Sequence, residues 1–322
     1  MCDMTPSGES LWPASVMSEE SFGALRGRVG SSFIERIRQL QIEESLFDEL
    51  CRAYLPLAAW VARQKGPTSM ILGVSGAQGS GKSTLCELLA LSLRQGFGHR
   101  VACFSIDDVY KTHADRERLA AEIHPLLITR GVPGTHDVDL ALSVIESLVS
   151  ATPDAVTRIP AFDKARDDRR PENEWPSFRG AADVVIFEGW CLGAVPQDEA
   201  ALAMPINELE RTEDPAGIWR HYVNARLASE YNRLFARLHK LIMLKVPSLE
   251  SVHEWRGLQE RKLAAATDMA ILHHLMDASA LKRFIMHYER LTRALLGEIP
   301  KRADVTMYLD AQHKFTRIQL RD

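Results

Sequence analysis

The sequence predicts a doubly wound α/β fold built on a mainly parallel, five-stranded sheet. Short apolar runs recur at 70–75, 100–106, 183–188, 241–246 and 305–310. They are almost continuously apolar, as strands buried on both faces are. Stretches of helical period separate them, and alternating strands and helices make a layered α/β domain. The first run also passes through a glycine-rich segment straight into a helix former, which puts a site at the carboxyl ends of the strands.

The elements follow in order. Residues 1–30 are rich in Ser, Gly and Pro and read as a flexible tail. Ser32 and Glu35 match a capping box, so a helix is expected to begin there. Phe47, Leu50, Tyr54, Leu57 and Val61 recur at helical spacing, with Pro56 expected to kink or split the segment. Residues 31–65 are thus read as an N-terminal helical extension packed on the core, and 66–322 as the main domain. The stretch 107–180 is too long for one crossover and is expected to hold substrate-binding insertions. A lid is expected at about 250–280. Trp219, Tyr222, Val223, Leu227, Tyr231, Leu234, Phe235 and Leu238 form a stripe assigned to packing alone.

Composition excludes several classes of function. The 322 residues are 46% apolar and carry a net charge of −4, from 39 basic and 43 acidic side chains. That balance gives no general attraction to nucleic acid or to an anionic membrane. Any anionic substrate must therefore be held by local basic groups. The five cysteines, Cys2, Cys51, Cys86, Cys103 and Cys191, lack metal-type spacing and suit free thiols in a reducing cytosol. With no signal-like or membrane-length apolar run, a cytoplasmic enzyme is expected.

The glycine-rich segment is Gly76-Ala77-Gln78-Gly79-Ser80-Gly81-Lys82-Ser83, followed by Thr84. Strand, glycine loop and helix in this order make a phosphate-binding loop. Its backbone N–H groups and the helix N-terminus suit the phosphates of a nucleoside triphosphate. Lys82 supplies a mobile cation for the β- and γ-phosphates, and the Ser83 hydroxyl can ligate Mg²⁺.

Asp107 and Asp108 end the second strand. Asp107 is placed to orient and deprotonate a hydroxyl acceptor and is also expected, with Ser83 and Glu188, at the Mg²⁺, and Asp108 is placed to cap the next helix. Glu188, at the tip of the third strand, is expected to bind Mg²⁺ directly or through water. Asp137 can cap the helix that follows it, or it can stand with His136 against a hydroxylated or anionic substrate. In the charged segment 159–171, Asp163 suits sugar-like hydroxyls, and Lys164 or Arg169 can pair with a carboxylate. Trp255-Arg256, with Gln259, Glu260, Arg261 and Lys262, fits a lid helix that carries Arg256 to the transferring phosphate, and equally an exposed helix. His273 and His274 are read as structural.

Taken together, GVSGAQGSGKSTL, SIDDVY, HPLLITRGVPGTHD, IPAFDKARDDRRPENEW, VVIFEGWCLGA and WRGLQERKL resemble the D-glycerate 3-kinase family. That family belongs to the P-loop kinase group with uridine kinase, phosphoribulokinase and pantothenate kinase. The resemblance runs from Leu55 to about Asp310. It implies an ATP- and Mg²⁺-dependent small-molecule kinase with D-glycerate as acceptor. It puts Asp107 in the base position, Glu188 at the metal, Lys82 and Ser83 at the phosphates and Mg²⁺, and His136, Asp137, Asp163 and Lys164 at the acceptor. Val109 and Phe162 depart from the Phe and Tyr expected there, and Gly257-Leu258 from Leu-Gln. The rival readings are a kinase of the same group acting on another polyol, a nucleoside or a pantothenate-like acid, and a regulatory NTPase without a small acceptor.

Overall fold

The computed structural model describes residues 11–266 and 278–321. The chain begins with α1 (Glu19–Gln39) and α2 (Phe47–Gln64), then β1 (Met70–Gly76), α3 (Lys82–Phe97) and β2 (Val101–Ser105). The insertion follows as α4 (His113–Glu122), α5 (Val138–Ser150) and four short strands. These are β3 (Val156–Arg158), β4 (Phe162–Asp163), β5 (Asp168–Arg169) and β6 (Ser177–Arg179). They pair antiparallel as β3 with β6 and β4 with β5.

Next come β7 (Val184–Gly189), α6 (Glu199–Leu202), α7 (Glu208–Glu213), α8 (Ile218–Arg226), a π-helical turn (Leu227–Tyr231) and α9 (Asn232–Phe235). The chain closes with β8 (Lys240–Lys245), α10 (Leu249–Ala266), α11 (Ala278–Arg302), β9 (Val305–Leu309) and β10 (Phe315–Leu320).

The central sheet has six strands in the order β10-β9-β8-β1-β7-β2. The five expected strands form it and are parallel throughout. Strand alternation sends Leu72, Val74, Val184 and Ile186 into the core under α1, α2 and α3. The intervening Ile71, Val185 and Phe187 enter a second core under α5 and α11. Both faces are covered, as the apolar runs imply.

Three expectations are corrected. A sixth strand, β10, joins antiparallel at the edge. Its half-exposed alternation, with Arg317 and Gln319 facing outward, lacks the apolar run of a central strand. The first helix starts at Glu19, capped by Ser18, and Ser32 and Glu35 fall inside it. Its glycines suggested a tail, but Leu25, Val29, Phe33 and Ile37 bury one stripe that outweighs their low propensity. Finally, α2 runs unbroken through Pro56, which is buried among Leu55, Leu57 and Ala58.

Candidate active site

The loop between β1 and α3 owes its shape to its glycines. Gly79 and Gly81 adopt φ of +79° and +88°, conformations that favour glycine. A Cβ at Gly76 would lie 2.8 Å from Ser80 Oγ, and one at Gly79 would lie 2.9 Å from Trp255 Cβ. Lys82 Nζ donates to the Ala77 carbonyl at 3.0 Å, folding back across the loop. Burial lowers the Lys82 pKa, opposed by the nearby carboxylates of Glu188 and Asp107. Ser80 Oγ is buried without a hydrogen-bond partner, and half-buried Gln78 and Thr84 flank the loop. A buried orphan hydroxyl, a cation and a helix N-terminus together form a cradle for phosphate.

Parallel pairing puts Glu188 level with Val74 of β1 and Ser105 of β2. The Ser83 hydroxyl donates to Glu188 Oε1 at 2.9 Å. The other oxygen, Oε2, is buried and has no hydrogen-bond partner. A hydroxyl and a carboxylate with one oxygen to spare are hard donors that fit Mg²⁺. Among the described residues no group of three or more His, Cys, Asp or Glu could form a metal cage. Mg²⁺ needs none, since it keeps several waters and leans on substrate phosphates.

Asp107 and Asp108 separate into two roles. Ser105 caps a short 3-10 turn, and Asp108 Oδ2 accepts the Ser105 N–H at 2.8 Å, closing a capping box. Burial raises the Asp108 pKa to about 6, with Asp107 and Glu188 adding to the effect. Asp107 instead receives Lys164 Nζ on Oδ2 at 2.7 Å and the Tyr110 hydroxyl on Oδ1 at 2.8 Å. Burial pushes its pKa up, but the Lys164 ammonium and the two hydrogen bonds bring it down to about 2.

Tyr110 in turn stacks on His136, with ring centroids 4.5 Å apart. His136 is 0% exposed, and its Nδ1 lies 2.5 Å from the Tyr231 hydroxyl. Tyr231 accepts the Gly134 N–H through the same oxygen, while His136 Nε2 is buried without a hydrogen-bond partner. Burial pushes the His136 pKa down to about 3, which keeps the ring neutral. In this conformation His136 braces Tyr110 from beneath and makes no open contact for an acceptor. Tyr231, read as packing, supplies the polar end of that brace from the π turn.

The insertion brings the remaining candidates in from the side. Asp137 accepts the Leu140 N–H as the cap of α5 and pairs with Arg169 at 3.2 Å. Arg169 also donates to the Tyr110 carbonyl, so it ties β5 to the turn that follows Asp107 instead of standing free for a carboxylate. Asp163 accepts the N–H groups of Ala165 and Arg166 and shapes the β4–β5 turn. Only Lys164, 62% exposed, projects from that turn onto Asp107.

The first turns of α10 lie against the loop. The backbone N of Arg256 lies 3.6 Å from the Cβ position at Gly79, while the Arg256 guanidinium lies 5.5 Å from the Phe284 ring centroid on α11. His313, at the tip of the β9–β10 hairpin, stacks on Trp255 at 3.6 Å and lies with Nε2 3.0 Å from the Gly79 carbonyl. No local signal marked His313. The side chains of Gln259, Glu260, Arg261 and Lys262, and His273 and His274 altogether, lie outside the described residues.

No family model matches the chain. The uncharacterized kinase mug58 of Schizosaccharomyces pombe is 35% identical over 227 residues, covering 68% of this chain and 78% of its own length. The chloroplastic D-glycerate 3-kinase of Arabidopsis thaliana is 26% identical over 242 residues, 73% of this chain but only 50% of that longer protein. The chain belongs to the D-glycerate 3-kinase family of P-loop kinases. The solved D-glycerate 3-kinase of Cryptococcus neoformans var. grubii shares the fold, with a TM-score of 0.65 and 24% identity over 84% of this chain and 97% of that one. Family membership makes the protein a small-molecule phosphotransferase with a P-loop nucleotide site. Among the described residues no helix is long and apolar enough to cross a membrane.

Proposed function

We propose that this kinase uses Mg·ATP to phosphorylate D-glycerate, giving 3-phosphoglycerate. The observation that carries the reading is the Asp107–Lys164 pair beside the phosphate loop. It joins a carboxylate for the acceptor's hydroxyl to an ammonium that can meet the acceptor's own carboxylate. Phe162 supports a small acid over a nucleoside. It is 9% exposed, packs edge-on against Tyr110, and carries the Arg130 guanidinium over its ring at 5.6 Å. A base seeking to stack would find that face taken.

The loop N–H groups and Lys82 hold the β- and γ-phosphates, and Ser83 and Glu188 are the residues that would hold Mg²⁺. When bound, Mg²⁺ would supply positive charge that offsets the negative charge spreading over the transferring phosphoryl group. Asp107 aligns the primary hydroxyl of the acceptor. The hydroxyl oxygen bonds to the γ-phosphorus, the bond from that phosphorus to the ADP leaving oxygen breaks, and the hydroxyl proton passes to Asp107. A weakly basic Asp107 suits a loose transition state in which the proton leaves late. Transfer of Lys164 from Asp107 to the substrate carboxylate would strengthen that base as the acceptor binds. A cytoplasmic placement belongs to the same proposal and rests on the scattered cysteines.

The test is ATP consumption by purified protein with D-glycerate, uridine, pantothenate and ribulose 5-phosphate in parallel, with products identified by NMR. Saturable turnover with D-glycerate is expected, and Lys164→Met should raise its KM while leaving that of ATP nearly unchanged. Turnover with only one of the other three would end the assignment. Steady hydrolysis that ignores all four would favour a switch-type NTPase.

A further inference from the structure

Asp167 sits in the turn that carries Lys164, at φ +54°, a left-handed conformation that an aspartate adopts more readily than most residues. Two guanidiniums and one imidazole surround its single negative charge. Arg116 approaches Asp167 Oδ2 at 3.0 Å and donates to the Asp167 carbonyl at 2.6 Å. It also donates to the carbonyls of Lys111 and Ile128, and its side chain is 0% exposed. His113 Nδ1 lies 3.2 Å from Oδ2. Arg116 thus holds Oδ2 and three backbone carbonyls at once and anchors the turn.

Arg130 is the second guanidinium on Asp167. It pairs with Oδ1, lies over the Phe162 ring, and its side chain is 24% exposed, so part of it is open to solvent. Arg130 Nη2 also lies 3.4 Å from the Lys164 carbonyl, and Lys164 Nζ ends on Asp107. Arg130 and the catalytic carboxylate thus stand at the two ends of one lysine residue. The other carboxylates nearby are engaged: Asp163 by backbone N–H groups, Asp168 by the His113 N–H, and Asp137 by Arg169.

The geometry points to Arg130 as a second cation that, with Lys164, recognises the acceptor's carboxylate and so selects a hydroxy acid over a neutral polyol. The inference rests on the glycerate reading above. A three-carbon acid with its hydroxyl on Asp107 extends along the Lys164 side chain toward Arg130. The planar guanidinium can then take the carboxylate through two parallel hydrogen bonds, which a lysine cannot do. Arg116 and His113 would stay on Asp167 if Arg130 exchanged that carboxylate for the acceptor's.

The test compares wild type, Arg130→Gln and Arg130→Lys as full-length protein, each checked by circular dichroism and thermal melting. Arg130→Gln should raise the KM for D-glycerate about 10–100-fold, the effect of a lost charge-assisted pair, with the KM for ATP moving less than about two-fold. Arg130→Lys should recover part of the loss, because charge returns without the fork. A folded Arg130→Gln protein with an unchanged acid KM overturns the inference and leaves the glycerate reading intact. Equal rises in the KM values for ATP and acid also overturn it, by exposing a purely structural role. If wild type uses a different carboxylic acid, the glycerate reading fails, and a selective rise in that acid's KM would still support Arg130. Should Arg130→Gln not fold, a wild-type acid KM in Arg130→Lys would count against the inference.

Discussion

Asp107 and Asp108 are adjacent in sequence and opposite in state. Asp107 is held ionised with a pKa of about 2, while burial raises Asp108 to about 6. Asp107→Asn should lower kcat by about 10²–10⁴-fold with little change in ATP affinity, because the amide keeps the shape but cannot take the proton. Steady-state kinetics on both Asn variants checks this, and a larger kcat loss in Asp108→Asn would reverse the roles. The two also pull stability in opposite directions with pH. Asp108 has a raised folded pKa, so its contribution is present below about pH 4 and lost as the pH rises through about 6. Asp107 has a depressed one, so its contribution is present above about pH 4 and lost as the pH falls toward 2. Relative to wild type, Asp108→Asn should therefore melt higher at pH 7 than at pH 4. Thermal midpoints across that range measure it, and parallel curves would refute the raised pKa.

At the scale of elements, the phosphate loop is packed between its own helix and two distant segments. α10 brings Trp255 to Gly79, and the β9–β10 hairpin brings His313 to the Gly79 carbonyl. A methyl group at Gly79 meets both a left-handed backbone and the Trp255 Cβ at 2.9 Å. Gly79→Ala should therefore lower ATP affinity at least about ten-fold and cost about 1–3 kcal/mol in stability. Isothermal titration with a non-hydrolysable ATP analogue and urea unfolding would measure the two. His313→Ala should weaken ATP binding more mildly, since it removes a stacking partner and leaves the loop conformation intact. Equal affinity in both variants would show that the hairpin tip, and not the backbone at Gly79, governs the loop.

For the whole molecule, the N-terminal helices share one core with the sheet. Leu25 of α1 is 1% exposed and lies where Gly96 of α3 has no side chain: a Cβ there would be 2.4 Å from Leu25 Cδ1. Leu25→Ala should destabilise the protein by about 2–5 kcal/mol, as a deep core cavity does. Removal of residues 1–40 should prevent cooperative unfolding by urea, because it strips the cover from α3, the helix that begins at Lys82. A truncated protein with a wild-type midpoint would make α1 a dispensable appendage.

What was legible in the sequence was contiguous. The five parallel strands, the strand–loop–helix unit, and the carboxylates at the tips of β2 and β7 all declare themselves within a few residues. Burial on both faces demands an apolar run, and a phosphate cradle demands glycine at fixed positions. Site pairings that span the chain were beyond local reading. Lys164 meets Asp107 across 57 residues, Tyr231 meets His136 across 95, and His313 meets Gly79 across 234. Each side chain is unexceptional in its own segment and acquires a role only from the neighbour that folding delivers. Arg169 and Lys164 looked alike as candidate cations, and tertiary contacts separated them by tying Arg169 to Tyr110 and Asp137. The start of α1 was misread for the same reason: its glycines are weak helix formers in isolation, and only burial against α3 decides in favour of the helix.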